Sequence, residues 1–230
     1  MPALELNRVT RRYQVGTSTV NALLDVDLVV EPGDIAVVVG PSGSGKSTLL
    51  AVAGALLEPD EGTVTIAGTP TQGKDNGELA KLRRRHAGFV FQGANLVPYL
   101  TARENLEVAA GRGRAVTARA SELLDRLGLA NRARHLPAQL SGGERARVAI
   151  ARALVNHPDV VLVDEPTAAL DHHLSGQVMD LLVAEIKVSG AGAVIVTHDP
   201  LVVSYATRVF DMSDGQLEAK PVSDRAGASQ

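Results

Sequence analysis

Apolar residues recur along this chain in short runs, separated by stretches of helical spacing. The clearest runs are Ile35–Val39, Val64–Ala67, Gly88–Phe91, Val160–Val163 and Ala193–Val196, rich in Val and Ile and each followed by glycine or a helical pattern. Runs this short and this uniformly apolar predict strands of a sheet buried on both faces. Between them, the apolar spacing predicts helices over Lys46–Ala55, Glu78–Arg85, Thr117–Leu127, Glu144–Val155 and Leu174–Lys187. Such alternation predicts an α/β fold with a mostly parallel sheet.

Two regions break the alternation. Leu4–Tyr13 and Leu24–Val30 read as extended segments, which predicts an N-terminal antiparallel β lobe on the sheet. Residues 94–143 carry helical patterns and loops with almost no strand signal. Within them Val116, Ala120, Leu123, Leu124 and Leu127 share one face, and the pattern stops at Gly128. The expectation is a single domain, 1–230, whose core of 1–93 and 144–220 is interrupted by an α-helical insert over 94–143. Ser213-Asp214-Gly215-Gln216 predicts a hairpin turn, and the small, polar residues 221–230 a disordered tail.

Composition narrows the picture. With 230 residues, 45% of them hydrophobic, and a mean hydropathy of +0.06, the chain can bury one sizeable core. A net charge of −3 and a pI near 6.1 give no general attraction to nucleic acid or to an anionic membrane surface. Cysteine is absent, which excludes disulfides and thiolate metal sites. The opening Met-Pro-Ala-Leu-Glu lacks the basic and apolar segments of a signal peptide. The longest apolar run, Leu49–Leu57, has nine residues, where a membrane-spanning helix needs about 20. A soluble chain is expected, with no direct membrane insertion and any membrane role running through a partner.

Three motifs carry chemistry. Gly40-Pro41-Ser42-Gly43-Ser44-Gly45-Lys46-Ser47, continued by Thr48, follows one predicted strand and opens a helix, the context in which this pattern binds phosphate. The glycines let backbone N–H groups converge on phosphate oxygens, Lys46 can reach the β- and γ-phosphates, and the Ser47 hydroxyl can reach Mg²⁺. The strand Val160–Val163 ends in Asp164-Glu165. Asp164 could hold Mg²⁺ and Glu165 could take a proton from the attacking water, although acids also simply favour helix N-termini. Gln92 and His198 follow other strands in the same way, as loop residues or as sensors of the γ-phosphate. Leu140-Ser141-Gly142-Gly143-Glu144 precedes an apolar helix. A capping box explains Ser141 and Glu144 but not the two glycines, which cost helix stability and leave bare N–H groups facing outward for an anion. His172-His173 invites a metal reading, but adjacent residues do not share a helix face.

With these motifs in this order, nearly the whole chain resembles the ATP-binding-cassette ATPases. Leu140–Glu144 resembles their signature motif, with Glu where many relatives carry Gln, lying about twenty residues before the acidic strand. The resemblance implies a phosphate-loop NTPase (RecA-like) core that binds ATP and Mg²⁺ and hydrolyses ATP. By the same resemblance, Glu165, His198, Gln92 and Lys46 serve the reaction, with Ser47, Gln92 and Asp164 around the metal. Tyr13 matches the aromatic that stacks on adenine, a role that competes with ordinary packing in a first strand. Asp171 matches the loop that meets a second subunit, and Ser141, Gly142 and Gly143 would close over that subunit's ATP. The implied assembly is an ATP-bound homodimer driving a separate integral membrane permease subunit, held at the inner, cytoplasmic face of the cell membrane. Gly16–Leu23 and Phe89–Pro98 are similar to the bacterial lipoprotein-release and macrolide-efflux group, and comparable ATPases in cell division transmit force without transport. A soluble member acting on nucleic acid or ribosomes generally carries two cassettes, long coiled-coil inserts or zinc motifs, none of which is evident here. A phosphate-loop kinase or GTPase leaves Leu140–Glu144 unexplained. Between Gln92 and the insert, Gly93–Thr101 carries Leu96, Val97, Tyr99 and Leu100. These side chains are expected either to pack under the insert or to form a docking surface with Tyr99 as its anchor.

Overall fold

The computed structural model describes residues 1–111, 113–168 and 170–220, so the tail expected over 221–230 lies outside the described residues. The chain opens with a long hairpin, β1 (Leu4–Val15) and β2 (Ser18–Val30). It turns at Gly16 in the left-handed region, φ +62°. The second strand starts six residues before the Leu24 expected from the apolar pattern. Ser18, Thr19 and Asn21 are exposed and carry no apolar signal. Their strand conformation comes from pairing with β1, with Tyr13 opposite Val20 and Val15 opposite Ser18. With β4 (Glu61–Ile66) and β5 (Thr69–Pro70) the hairpin forms a four-stranded antiparallel sheet ordered β2-β1-β4-β5.

The second sheet contains β3 (Ile35–Val39), β6 (Ala87–Val90), β7 (Val160–Asp164), β8 (Gly192–Thr197), β9 (Arg208–Ser213) and β10 (Gln216–Lys220). Its order is β10-β9-β3-β8-β7-β6. Every pairing is parallel except the β9–β10 hairpin, whose turn falls at the expected Ser213–Gln216. Both faces are covered. Ile35, Val37, Val161, Val163, Ala193 and Ile195 belong to one apolar cluster, whereas Ala36, Val38, Val160, Leu162, Val194 and Val196 belong to the other. That division explains four of the five uniformly apolar runs, because each alternate residue has a core to enter; the fifth, Val64–Ala67, falls instead largely in β4 of the antiparallel sheet, where Val64 and Ile66 are buried on one face. Burying one such side chain contributes about 1.5–3 kcal/mol.

Helices fill the connections: α1 (Lys46–Ala53), α2 (Asn76–His86), α3 (Ala102–Ala110), α4 (Arg114–Arg126), α5 (Gly142–Leu154), α6 (His172–Ser189) and the short α7 (Pro200–Val203). Asp75, Thr101 and Ser141 each close a capping box with Glu78, Glu104 and Glu144, which fixes where α2, α3 and α5 begin. On α4, Ala120, Leu123 and Leu124 bury into the cluster shared with α5 and α6. An ion pair from Arg126 to the buried Glu185 of α6, 2.8 Å, adds a polar tie between them. At β6 the backbone of α5 comes close, and a Cβ built on Gly88 would lie 2.3 Å from the carbonyl oxygen of Ala153. Gly88→Ala should therefore push α5 off the sheet and destabilise the fold by about 1–3 kcal/mol. Urea unfolding would show this as a lower midpoint with an unchanged slope.

Candidate functional site

The parallel register brings several strand ends to one level. Val39 pairs with Thr197, Asp164 with Val196, and Val90 with Val163. The segments that follow, Gly40–Thr48, Glu165–Pro166, His198–Asp199 and Phe91–Gln92, therefore leave the sheet along one edge, where α/β proteins bind ligands.

The glycine-rich loop is tightly enclosed. A side chain at Gly40 would place its Cβ 2.2 Å from the carbonyl oxygen of Met212, and one at Gly45 would place it 2.1 Å from that of Ala22. Gly45 is also left-handed, φ +110°, just ahead of α1. Neighbouring strands thus exclude any Cβ from both positions. Lys46 is buried, and its Nζ donates to the carbonyls of Gly40 and Pro41, both at 2.7 Å, drawing the loop around its own ammonium. Ser44 is buried with its hydroxyl unpartnered, the mark of a loop suited to a polar ligand.

Beside this loop Ser47 donates to Asp164 Oδ2 at 3.3 Å. Burial raises the Asp164 pKa above the ordinary carboxylate value, and the Ser47 hydrogen bond offsets part of that rise. Both groups are hard oxygen donors, and among the described residues no cluster of three or more His, Cys, Asp and Glu gathers to hold a metal. Such a pair suits Mg²⁺, which keeps few protein ligands and completes its shell with water and phosphate oxygens. Glu165, the next residue, has a left-handed backbone, φ +46°, held by its N–H to Val196 O at 3.0 Å. Its carboxylate accepts from Thr197 Oγ1 at 3.1 Å and meets His198 Nδ1 at 2.8 Å. The His198 side chain is 73% exposed and that of Glu165 12% exposed, so the pair joins a sheltered carboxylate to an open imidazole. Thr197, fully buried, is a positioning group the sequence offered no sign of, because only the register reveals it.

Ser141 caps α5 through the Glu144 N–H, and Glu144 accepts from the Ser141 N–H at 2.7 Å and from Arg132 Nε at 2.9 Å. Those bonds, the Ser141 backbone first, lower the Glu144 pKa. Gly143 lies buried against Leu174 of α6, while Ser141 is exposed. Gly142 shares a cleft with Gly93, Ala94, Glu165, Pro166 and Leu170, and no residue of the Gly40–Thr48 loop lines it. Asp171 caps α6 by accepting from the Leu174 N–H at 2.9 Å, and Gln92 is exposed. Tyr13 is half-exposed near the hairpin tip, with the Arg11 guanidinium 5.3 Å from its ring centroid. The segment Gly93–Thr101 divides between the two expectations for it. Ala94 and Leu96 pack against the core, whereas Tyr99 projects, 77% exposed. Nearby, Leu56, Arg83, Arg84, Phe89, Phe91 and Arg152 border an open cleft of about 230 Å³.

Comparison with known proteins agrees with this geometry. The family described as ABC transporter matches residues 23–168. The macrolide export ATP-binding/permease protein MacB of Burkholderia lata is 50% identical over 222 residues, covering 95% of this chain and 32% of that protein. The chain thus spans about a third of the length of the curated relatives it matches. Among solved structures, the dimeric, post-hydrolysis state of the ATP-binding cassette MJ0796 bound to ADP and Pi is 41% identical, with a TM-score of 0.87 over 95% of this chain and 98% of that one. The structure of cbiO1 from Clostridium perfringens, part of the ABC transporter complex cbiONQ, is 29% identical, with a TM-score of 0.83 over 94% of this chain and 87% of that one.

A carboxylate whose folded pKa is raised contributes stability that is present below its ordinary pKa and lost as pH rises through the raised value. Asp164→Asn should accordingly raise the Tm of the metal-free protein at neutral pH. The gain should shrink as pH falls through the raised Asp164 pKa, while Mg²⁺ affinity drops on the order of tenfold or more. Thermal melts across pH and a metal titration check both arms.

Proposed function

The chain belongs to the ABC transporter family, and from that premise we propose that it binds MgATP and hydrolyses it to drive a membrane permease. The observation that carries this reading is the fixed Glu165 carboxylate, braced by Thr197 and His198 beside the Ser47–Asp164 pair. The loop Gly40–Thr48 would wrap the phosphates with backbone N–H groups, and Lys46 would trade its loop carbonyls for phosphate oxygens. Magnesium held by Ser47, Asp164 and Gln92 would neutralise charge developing on the β- and γ-phosphates. Glu165 would accept a proton from water as its oxygen bonds to the γ-phosphorus. The bond from that phosphorus to the β,γ-bridging oxygen then breaks, leaving ADP and phosphate. His198, hydrogen-bonded to Glu165 and exposed, would hold that carboxylate and reach toward the γ-phosphate. Tyr13 would stack on adenine.

The exposed Ser141 and half-exposed Gly142, at the bare start of α5, support a site shared between two chains. In this reading Ser141–Gly143 of one chain close over the ATP held by the Gly40–Thr48 loop of another, with Asp171 at the contact. The dimeric form of the related MJ0796 cassette supports the same arrangement. The permease is proposed to be a separate chain. Residues 94–143 would act as a helical insert in a core of 1–93 and 144–220, leaning with the nucleotide state. The cleft at Phe89 and Phe91, flanked by Arg83, Arg84 and Arg152 and with Tyr99 nearby in sequence, would receive a short helix of that permease at the inner face of the membrane. Among the described residues no helix is long and apolar enough to cross a membrane itself.

Glu165→Gln should retain ATP binding, lose about 10²–10⁴-fold in turnover, and accumulate as an ATP-bound dimer on size-exclusion chromatography; turnover within twofold of the parent protein removes Glu165 from the reaction. Because the chain has no cysteine, cysteines placed at Ser42 and at Gly142, which is half-exposed where Gly143 is buried, should crosslink between chains only with ATP present. Tyr99→Ala should leave folding and ATP binding intact while weakening capture of the permease, and a loss of thermal stability instead would make Tyr99 a packing residue.

A further inference from the structure

The segment that carries Gln92 is suspended by side chains of two helices. From α3, the buried Asn105 accepts from the Val97 N–H at 2.8 Å and donates to the carbonyls of Leu100 and Thr101, each at 3.0 Å. From α5, Arg152 donates Nη1 to the carbonyl of Asn95 at 2.6 Å and Nη2 to that of Ala94 at 3.1 Å. Successive carbonyls in an extended chain point to opposite sides, so one guanidinium cannot ordinarily take both. Asn95 is left-handed, φ +44°, which turns its own carbonyl and that of Ala94 to the same side. The planar fork of an arginine matches that pair, whereas a lysine is a point donor.

Arg152 is also anomalous where it stands. It interrupts the otherwise apolar run Val148–Val155 of α5, is only half-exposed, and borders the cleft formed with Phe89 and Phe91. Burial lowers its pKa, yet the guanidinium remains charged. A partly desolvated cation is costly, and the bonds it makes go to the loop two and three residues past Gln92. The same helix starts at Ser141–Gly143, about 15 Å away along its axis from Gly142 to Arg152. One helix therefore carries the signature residues at its start, in the cleft lined by Gly93 and Ala94, and a grip on Ala94 and Asn95 towards its other end.

We propose that Arg152 is a positioning residue for the ATPase reaction: its fork fixes Gln92 relative to α5, so that a nucleotide engaging Ser141–Gly143 of one chain registers at that chain's own Gln92. This rests on the proposed ATPase reading and adds to it a link from the shared site back to the site in the same chain. Turnover and site-to-site cooperativity then depend on the fork, while capture of ATP by the Gly40–Thr48 loop does not.

Arg152→Ala and Arg152→Lys should bind ATP with a Kd within twofold of the parent protein. Turnover should fall on the order of 10- to 100-fold, the range expected when a reacting geometry shifts by about 1 Å, and the Hill coefficient for ATP should fall towards 1. Lysine should not restore turnover. Guanidinium chloride at low millimolar concentration should raise the turnover of Arg152→Ala severalfold and leave the parent and Arg152→Lys unchanged. Turnover within twofold of the parent in folded Arg152→Lys would overturn the proposal, even if the alanine variant does not fold. So would a loss in Arg152→Ala that tracks a lowered Tm and does not respond to guanidinium. If the parent protein itself hydrolyses no ATP beyond its Glu165→Gln variant, it is the ATPase reading that has failed, and this proposal falls with it.

Discussion

The parallel register of β3, β8 and β7 is the constraint on which the rest depends. Hydrogen bonding sets Val39 against Thr197 and Asp164 against Val196, and these pairings, more than any local motif, bring the glycine-rich loop, the two carboxylates and His198 to a common edge. The register is held by side chains, because alternate residues enter two different cores. A slip of β7 by one residue would send Val161 and Val163 into the wrong cluster and carry Glu165 away from Thr197. The same apolar burial that stabilises the sheet therefore sets the spacing of the proposed reacting groups.

The glycine-rich loop illustrates two demands met by one residue type. Bare backbone suits phosphate oxygens, yet at Gly40 and Gly45 the closer constraint is the press of Met212 and Ala22 carbonyls from adjoining strands. Lys46 adds the opposite tendency, drawing the carbonyls of Gly40 and Pro41 inward. These contacts within the chain set the shape of the loop, which lowers the cost of ordering it around a ligand.

Much of this was legible from residue order alone, for a physical reason. The parallel strands β3, β6, β7 and β8 announced themselves through their apolar runs, whereas the parallel β9, interrupted by Asp211, did not; the starts of α1 and α5 did because capping and glycine placement are local chemistry. The second strand of the hairpin was legible only from Leu24 onward, since Ser18, Thr19 and Asn21 stay in solvent and only their pairing with β1 makes them strand. Thr197 and Arg152 gave little sign because each acts through a partner distant in sequence, at 165 and at 94 and 95, and Asn105 because a local side-chain bond to the backbone at 97 to 101 leaves no mark in residue order. Arg152 did leave a trace, a charge set within an apolar helix face. The mixed character of Gly93–Thr101 could not be resolved by composition, since Leu96 and Tyr99 differ by which way a loop turns.

The backbone of Glu165 has a consequence for how this protein could change over generations. A left-handed conformation costs a glutamate about 1–2 kcal/mol that glycine would not incur and asparagine would incur less. Thr197, His198 and the Val196 carbonyl hold it there nonetheless. Selection for heat resistance alone would therefore tend to replace this residue with glycine or asparagine and, on the proposed role of Glu165, enrich robust but inert descendants. On that proposed role, only selection that also requires turnover would retain the carboxylate, and position 165 would separate a lineage kept for its work from one kept merely for its durability.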